Sequence, residues 1–373
     1  MGSAYDSPIL DWRDERLNFD HPANLDGDIS GGFVTEDDGF RVSAPLDRAQ
    51  YSPERHKRLI DAAKDIFAAH AGRRSELSAF LAMQDARLFP SVEYLGFPLQ
   101  GACVQLSYAR TVLPQWRLGT EVVLWPLTND FKWWKLPTSS PLPWSQREPK
   151  LMWRGQPTGM SYDLGLEARP ILTGIRKVRR WLNGWLKDEV ADNESTFRAW
   201  AGSYQRLKAV SICRNLPDTD VRLVPLFDGD RKSVEVAGKF LGTEVLSERV
   251  DLKTHLSAQQ RFKYTLSLPG NDVPSSLRHD LLSGCLVLMP RPFWESSWFF
   301  GLKPDIHYIP LRADLADLEE RLQWCRDNDG HCKEIAENAR VFALEHFDPA
   351  LEQKVQSRLV ERLAQMTTPM TGS

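Results

Sequence analysis

A chain of 373 residues is long enough to bury two hydrophobic cores, so two domains are expected. A net charge of -3 with 26% charged residues argues against a dedicated nucleic-acid binder and leaves phosphate recognition to local clusters. The five cysteines, Cys103, Cys213, Cys285, Cys325 and Cys332, are odd in number and scattered, which gives neither a disulfide framework nor a zinc spacing.

Met1 to Asp20 carries Asp6, Asp11, Asp14 and Glu15 without an apolar run and does not read as a signal peptide. No stretch reaches the ~18 apolar residues that span a bilayer. The expectation is a soluble, cytoplasmic protein. Residues 1–50, with DGDISGG and TEDDG, read as loops or an N-terminal arm. Asp26, Asp28 and the glycines after them have the start of a calcium loop but lack its later acidic ligand.

Residues 51–148 read as an acceptor-side domain of alternating helices and strands. Ser52 and Pro53 open a helix whose stripe is Leu59, Ile60, Ala63, Ile66 and Phe67. A second helix is expected from Ser75, through Leu77, Phe80 and Leu81. Cys103 to Tyr108 and Glu121 to Leu127 read as strands. Pro137, Pro141, Pro143 and Pro149 mark a domain junction.

Residues 149–347 read as a second domain, and 348–373 as a C-terminal helix and tail. A long helix is expected from Pro170 to Leu186, with Arg176, Lys177, Arg179 and Arg180 on its outer face. That basic face is either simply solvated or a peripheral contact with a membrane or an anionic lipid-linked acceptor. Val221 to Phe227 reads as a strand and Asp251 to Gln260 as a helix.

The stretch from Phe262 to Pro310 is the most informative. Lys263 to Leu268 is a strand broken by Gly270-Asn271-Asp272, and Ser275 or Ser276 can cap a helix carrying Leu277, Leu281 and Leu282. Gly284 ends the helix, and Cys285 to Met289 is a short apolar run typical of a buried parallel strand. The unit is βαβ, and the N–H groups opening its helix, beside Asn271 and Arg278, form a candidate anion site. His307 to Leu311 reads as a further strand, and Leu315 to Arg326, Lys333 to His346 and Pro349 to Ala364 as helices.

Three stretches, KYTLSLPGNDVPSSLRHDLLSG from Lys263, LKPDIHYIPLRADLADLEERLQWCRDND from Leu302 and KEIAENARVFALEHF from Lys333, together resemble the CAP10-type glycosyltransferases of family 90. The protein O-glucosyltransferases belong to that family. Leu151 to Gly159, with Trp153-Arg154-Gly155 at its centre, resembles the family's WRG signature. The resemblance implies an α/β, GT-B-like fold of two Rossmann-like domains facing a central cleft. It also implies a nucleotide-sugar donor, usually a UDP-sugar, and transfer with inversion to a hydroxyl of a glycan or lipid-linked acceptor. Animal members work in the secretory pathway. The absence of a signal peptide points instead to the bacterial branch, expected to build surface polysaccharide or lipopolysaccharide.

By the same resemblance the donor falls at Arg154, Gly155, Thr158 and Gly159 in the first motif. In the second it falls at Lys263, Tyr264, Gly270, Asn271, Asp272, Ser275, Ser276 and Arg278. Arginines can clamp a diphosphate without a metal, so no metal and no cofactor beyond the co-substrate is expected. Asp-x-Asp pairs occur at Asp26/Asp28, Asp218/Asp220, Asp228/Asp230 and Asp327/Asp329, and a metal-dependent GT-A mechanism is the minor alternative. Related enzymes carry a catalytic Asp just after a strand similar to Cys103 to Tyr108. Here that position falls on Thr111, which cannot act as a base near neutral pH. Asp130, before Phe131, Trp133 and Trp134, is the candidate base, with Asp85 and Glu121 as others. If none serves, the chain is a non-catalytic relative that binds a nucleotide or glycan.

Overall fold

The computed structural model describes residues 9–11, 30–36, 39–43, 78–82, 104–107, 109–111, 122–126, 141–157, 194–225, 231–270, 273–274, 276–290, 294–297 and 299–367. The chain forms two compact units. One comprises residues 1–132, 294–298 and 346–373, the other residues 133–293 and 299–345.

The first unit holds β1 (Ile9–Asp11), β2 (Ser30–Glu36), β3 (Gly39–Ser43), β4 (Ser78–Ala82), β5 (Val104–Ser107), β6 (Ala109–Thr111) and β7 (Val122–Leu124). Its main sheet has the order β1-β3-β2-β4-β5-β7. β4, β5 and β7 are parallel, whereas β1, β3, β2 and β4 pair antiparallel. Half of this sheet is therefore not Rossmann-like. Residues 30–43, expected to be loops, form a hairpin in which Phe33 pairs with Val42 and Thr35 with Phe40. The apolar residues of a short hairpin side with pleated pairing even in a glycine-rich, acidic context. Phe80 and Leu81, expected in a helix, lie in β4, paired between β2 and β5; strand pairing overrides a short helical pattern.

The second unit is built on β8 (Glu148–Gly155), β9 (Thr219–Leu223), β10 (Phe262–Leu266), β11 (Leu286–Pro290) and β13 (Ile309–Leu311). β12 (Trp294–Ser296) leaves this unit to pair antiparallel with β6, and Trp294 stands opposite Thr111. The sheet order is β13-β11-β10-β8-β9, with every neighbouring pair parallel. Such a sheet needs cover on both faces, and β11 and the middle of β8 are accordingly continuous apolar runs. Leu151, Met152 and Trp153 are all buried, as is the whole of β11. The missing apolar/polar alternation over Leu151, Met152 and Trp153 is why β8, which pairs with both β9 and β10, does not announce itself in the sequence.

The connecting helices are α1 (Glu194–Ser203), α2 (Gln205–Cys213), α3 (Arg231–Leu241), α4 (Leu252–Gln259), α5 (Leu277–Leu282), α6 (Leu318–Asp327) and α7 (Asp329–His346). Asp251 caps α4 by accepting the Thr254 N–H at 3.0 Å. Gly284, with φ +71°, closes α5, where an L side chain would be strained. The Tyr264 hydroxyl donates to the Cys325 carbonyl at 3.3 Å, anchoring α6 to β10. α8 (Pro349–Thr367) belongs to the first unit and buries Glu352, Gln356 and Val360, four residues apart. Gln356 Nε2 donates to the Pro126 carbonyl at 3.1 Å. His307, expected within a strand, sits in the turn before β13, where its Nδ1 accepts the Lys303 N–H at 3.0 Å. Among the described residues, no helix is long and apolar enough to cross a membrane.

Candidate functional site

Counted along the chain, the second sheet has the strand order 2-1-3-4-5. From β8 the chain first steps outward to β9, then crosses back to place β10 on the other side of β8. The two loops leaving β8 and β10 diverge at this reversal, and in open parallel sheets the crevice outside the carboxyl ends at such a point is where ligands bind. Trp153 to Pro157 ends β8, and Ser267 to Gly270 ends β10. The fold thus brings together the Arg154 and Gly270 motifs, which stand more than a hundred residues apart in sequence.

Each residue at this edge is held in a specific way. Alternation along β8 puts Trp153 and Gly155 on one face and Arg154 on the other. A Cβ on Gly155 would collide with the Trp153 ring, its Cη2 at 2.8 Å, so the glycine is what lets the indole fold back along the strand. The Gly155 carbonyl accepts the Val224 N–H at 2.9 Å. Arg154 turns toward β9, where its Nη2 meets Asp220 Oδ2 at 2.6 Å and its Nη1 donates to the Trp153 carbonyl at 2.9 Å. Arg222 Nε pairs with the other Asp220 oxygen at 2.8 Å.

Arg206, near the start of α2, is a residue the sequence reading did not single out. Its Nη1 donates to the Gln156 carbonyl at 3.3 Å and its Nη2 to the Leu268 carbonyl at 3.1 Å. Its guanidinium carbon lies 5.9 Å from the Trp153 ring centre. A Cβ on Gly270 would come within 2.8 Å of Nη2. An arginine on an amphipathic helix gives no sequence signal of its own; only the strand order puts it at the reversal.

α5 carries a buried polar set. Arg278, His279 and Asp280 are each under 5% exposed. Asp280 accepts from Gln259 Nε2 at 2.7 Å and from the Ser276 hydroxyl at 3.0 Å. Burial pushes its carboxyl up to about 7 against those bonds. His279 is pushed down to about 4 by burial, then by the charges of Arg278 and His255. His255 is lowered by burial and by Arg154. Ser276 is itself helical and makes no capping bond, its hydroxyl going to Asp280 instead. α5 has only six residues, so the expected anion site at its N-terminus has little helix behind it.

Lys263 lies toward the other end of β10 and Tyr264 at its middle. Lys263 Nζ bonds Asp329 Oδ1 at 2.6 Å and sits 5.2 Å from the Trp144 ring centre, while Trp144 Nε1 donates to the same carboxylate at 3.1 Å. Tyr264 is fully buried. The structure therefore does not bring these two to the carboxyl edge. Of the Asp-x-Asp pairs, Asp220 is held by Arg154 and Arg222, Asp329 by Lys263 and Trp144, and Asp327 accepts from Gln323. Asp130, Thr158, Gly159, Asn271, Asp272, Ser275, Arg176 to Arg180 and the pairs Asp26/Asp28 and Asp228/Asp230 lie outside the described residues.

Residues 226–366 match the model of glycosyl transferase family 90. This range contains the three C-terminal stretches on which the resemblance rests, so the family likeness is shown there. β8 and its Trp-Arg-Gly run precede it and join it through β10. The chain is 40% identical over 91 residues to the uncharacterized protein 179R of Invertebrate iridescent virus 6, covering 22% of this chain and 8% of that protein. It is 36% identical over 95 residues to the O-glucosyltransferase LpsA of Dichelobacter nodosus, covering 25% and 30%. It is 34% identical over 93 residues to protein O-glucosyltransferase 1 of Rattus norvegicus, covering 25% and 24%. The matched segments thus span less than a third of each relative's length. Among solved structures, Anabaena Alr3699/HepE in complex with UDP-glucose superposes with a TM-score of 0.34 at 17% identity, over 55% of this chain and 56% of that one.

Proposed function

We propose that this chain is a glycosyltransferase that binds a nucleotide-sugar, a UDP-hexose or UDP-xylose, at the carboxyl ends of β8 and β10. It transfers the sugar with inversion, by a metal-independent GT-B mechanism, to a hydroxyl of a glycan or lipid-linked acceptor in surface polysaccharide or lipopolysaccharide synthesis. The observation that carries this reading is the strand reversal at β8 and β10, flanked by the Trp-Arg-Gly run on one side and the family 90 segment on the other. The relatives named O-glucosyltransferases support the same chemistry.

Transfer requires the leaving diphosphate to be stabilised, the sugar held in line and the acceptor hydroxyl deprotonated. Backbone N–H groups at the carboxyl edge and the two motif arginines serve the first need, Arg278 as the family segment's charge and Arg154 on release from its ion pair with Asp220. Asp130 remains the candidate base. The decisive test is thermal stabilisation by a panel of nucleotides and nucleotide-sugars, with and without chelator. A ligand at ~100 times its dissociation constant adds about 2.7 kcal/mol, enough to move the melting temperature visibly. A UDP-selective shift that survives chelator is expected, and no shift with any nucleotide would remove the donor site.

Thr111 favours a second reading, a non-catalytic relative that binds a nucleotide or glycan. Sugar transfer from any donor to any acceptor would eliminate it.

A further inference from the structure

The structure assigns to Arg206 the role of a positioning residue that sets the gap between the two loops of the crevice, and so governs nucleotide affinity without belonging to either family motif. The inference rests on the donor site proposed above. Three independent features of the geometry converge on it.

The first is what the guanidinium spans. One nitrogen bonds the Gln156 carbonyl, just past β8, and another bonds the Leu268 carbonyl, just past β10. These loops leave the two strands between which the chain reverses, so Arg206 bridges the mouth of the reversal and not some peripheral pair of turns. A planar fork with fixed donor directions holds two acceptors at a set separation, which a flexible ammonium cannot do.

The second is how the bridge is supported. Trp153 lies within 5.9 Å of the Arg206 guanidinium carbon, and Gly155 gives the indole its space. Two of the three Trp-Arg-Gly residues therefore serve Arg206. The third, Arg154, points the other way and is engaged by Asp220. The third feature is Gly270, where a Cβ would lie 2.8 Å from Arg206 Nη2. The loop approaches the guanidinium so closely that only glycine fits without pushing it aside.

A purely structural brace just before the same strand provides the contrast. Arg147, at the amino end of β8, donates to the Leu142 carbonyl at 2.9 Å, the Ser283 carbonyl at 2.9 Å and Cys285 Sγ at 3.2 Å. It ties loops together at the end of the sheet where no ligand is expected. The experiment measures UDP affinity by titration calorimetry, well below each melting temperature, for wild type, Arg206→Lys, Gly270→Ala and Arg147→Lys.

Arg206→Lys and Gly270→Ala should each weaken UDP binding about tenfold or more, while Arg147→Lys lowers the melting temperature but binds UDP as wild type does. Gly270→Ala keeps the charge of Arg206 and displaces it; since Gly270 also lies in the donor motif, the matching loss in Arg206→Lys, which leaves that motif intact, is what identifies placement as the cause. Wild-type affinity in both Arg206→Lys and Gly270→Ala would overturn the inference, as would an equal loss in Arg147→Lys. If wild type itself does not bind UDP, the donor-site reading falls and takes this inference with it.

Discussion

Arg154 and Asp220 stand on adjacent parallel strands, joined by a 2.6 Å ion pair whose side chains are 16% and 24% exposed. The family resemblance assigns Arg154 to a diphosphate; in the structure it bonds the Asp220 carboxylate and the Trp153 carbonyl within its own sheet. A partly buried charge left alone costs more than the pair gains. Arg154→Ala should therefore destabilise the protein by about 1 to 3 kcal/mol, and Asp220→Ala by a similar amount. A double-mutant cycle read by denaturant unfolding should show coupling on the order of 1 kcal/mol or more. Additive single effects would mean that the pair does not act as a unit and that Arg154 is available to a ligand.

Asp280 and His279 are neighbours with opposite pH dependence. Asp280 titrates higher when folded than unfolded, so its contribution is complete below the ordinary carboxylate range and is lost as pH rises through about 7. His279 titrates lower when folded, so its contribution is present above about 6.5 and is lost as pH falls toward about 4. Over the interval between about 4 and 6.5 the two slopes oppose each other. Asp280 faces Gln259, Ser276 and Ser267, and His279 faces Arg278 and His255. Asp280→Asn should leave a protein whose melting temperature rises with pH across that interval. His279→Gln should leave one whose melting temperature falls. Identical profiles for both variants would show that neither group titrates as its surroundings dictate.

Much of the second unit was legible because its local signals are strong. Gly284 ends its helix, Asp251 caps α4, and Cys285 to Met289 reads as a buried strand, since each depends on residues within one turn of itself. What was not legible is relational. β8 buries Leu151, Met152 and Trp153 in succession and so lacks alternation there, and its place between β9 and β10 is set by pairing partners 66 and 113 residues away. Arg206 gains its meaning only from that order. Lys263 and Tyr264 show a complementary relation: they lie within the motif that resembles family 90, but strand direction sets their side chains against Trp144 and the Cys325 carbonyl. In the first unit, the β2 and β3 hairpin hid in acidic, glycine-rich sequence because its strands draw their order from the sheet they join.

Lys263 offers a direct check on that placement. Its side chain is only 13% exposed, and its ammonium is shared between Asp329 and the Trp144 face. Lys263→Met should lower stability by about 1 kcal/mol, because Asp329, 47% exposed, loses its ammonium and keeps the Trp144 N–H, and should leave nucleotide affinity unchanged. Measuring both on one preparation separates the roles. A loss of UDP binding at unchanged stability would return Lys263 to the donor site.

Two glycines should respond to alanine in opposite directions. Gly155 has the Trp153 indole where its Cβ would go, and a packed indole cannot swing aside as a flexible chain end can. Gly155→Ala should cost about 1 to 3 kcal/mol, because β8 must shift or the ring must leave its place beneath Arg206. Gly202, in α1, meets nothing within 4 Å. Gly202→Ala gains helix propensity and reduces the freedom of the unfolded chain, so it should stabilise by up to ~1 kcal/mol. Chemical denaturation of the two variants gives both signs. A neutral Gly155→Ala would mean that the indole is free to move, and the support that Trp153 gives Arg206 would go with it.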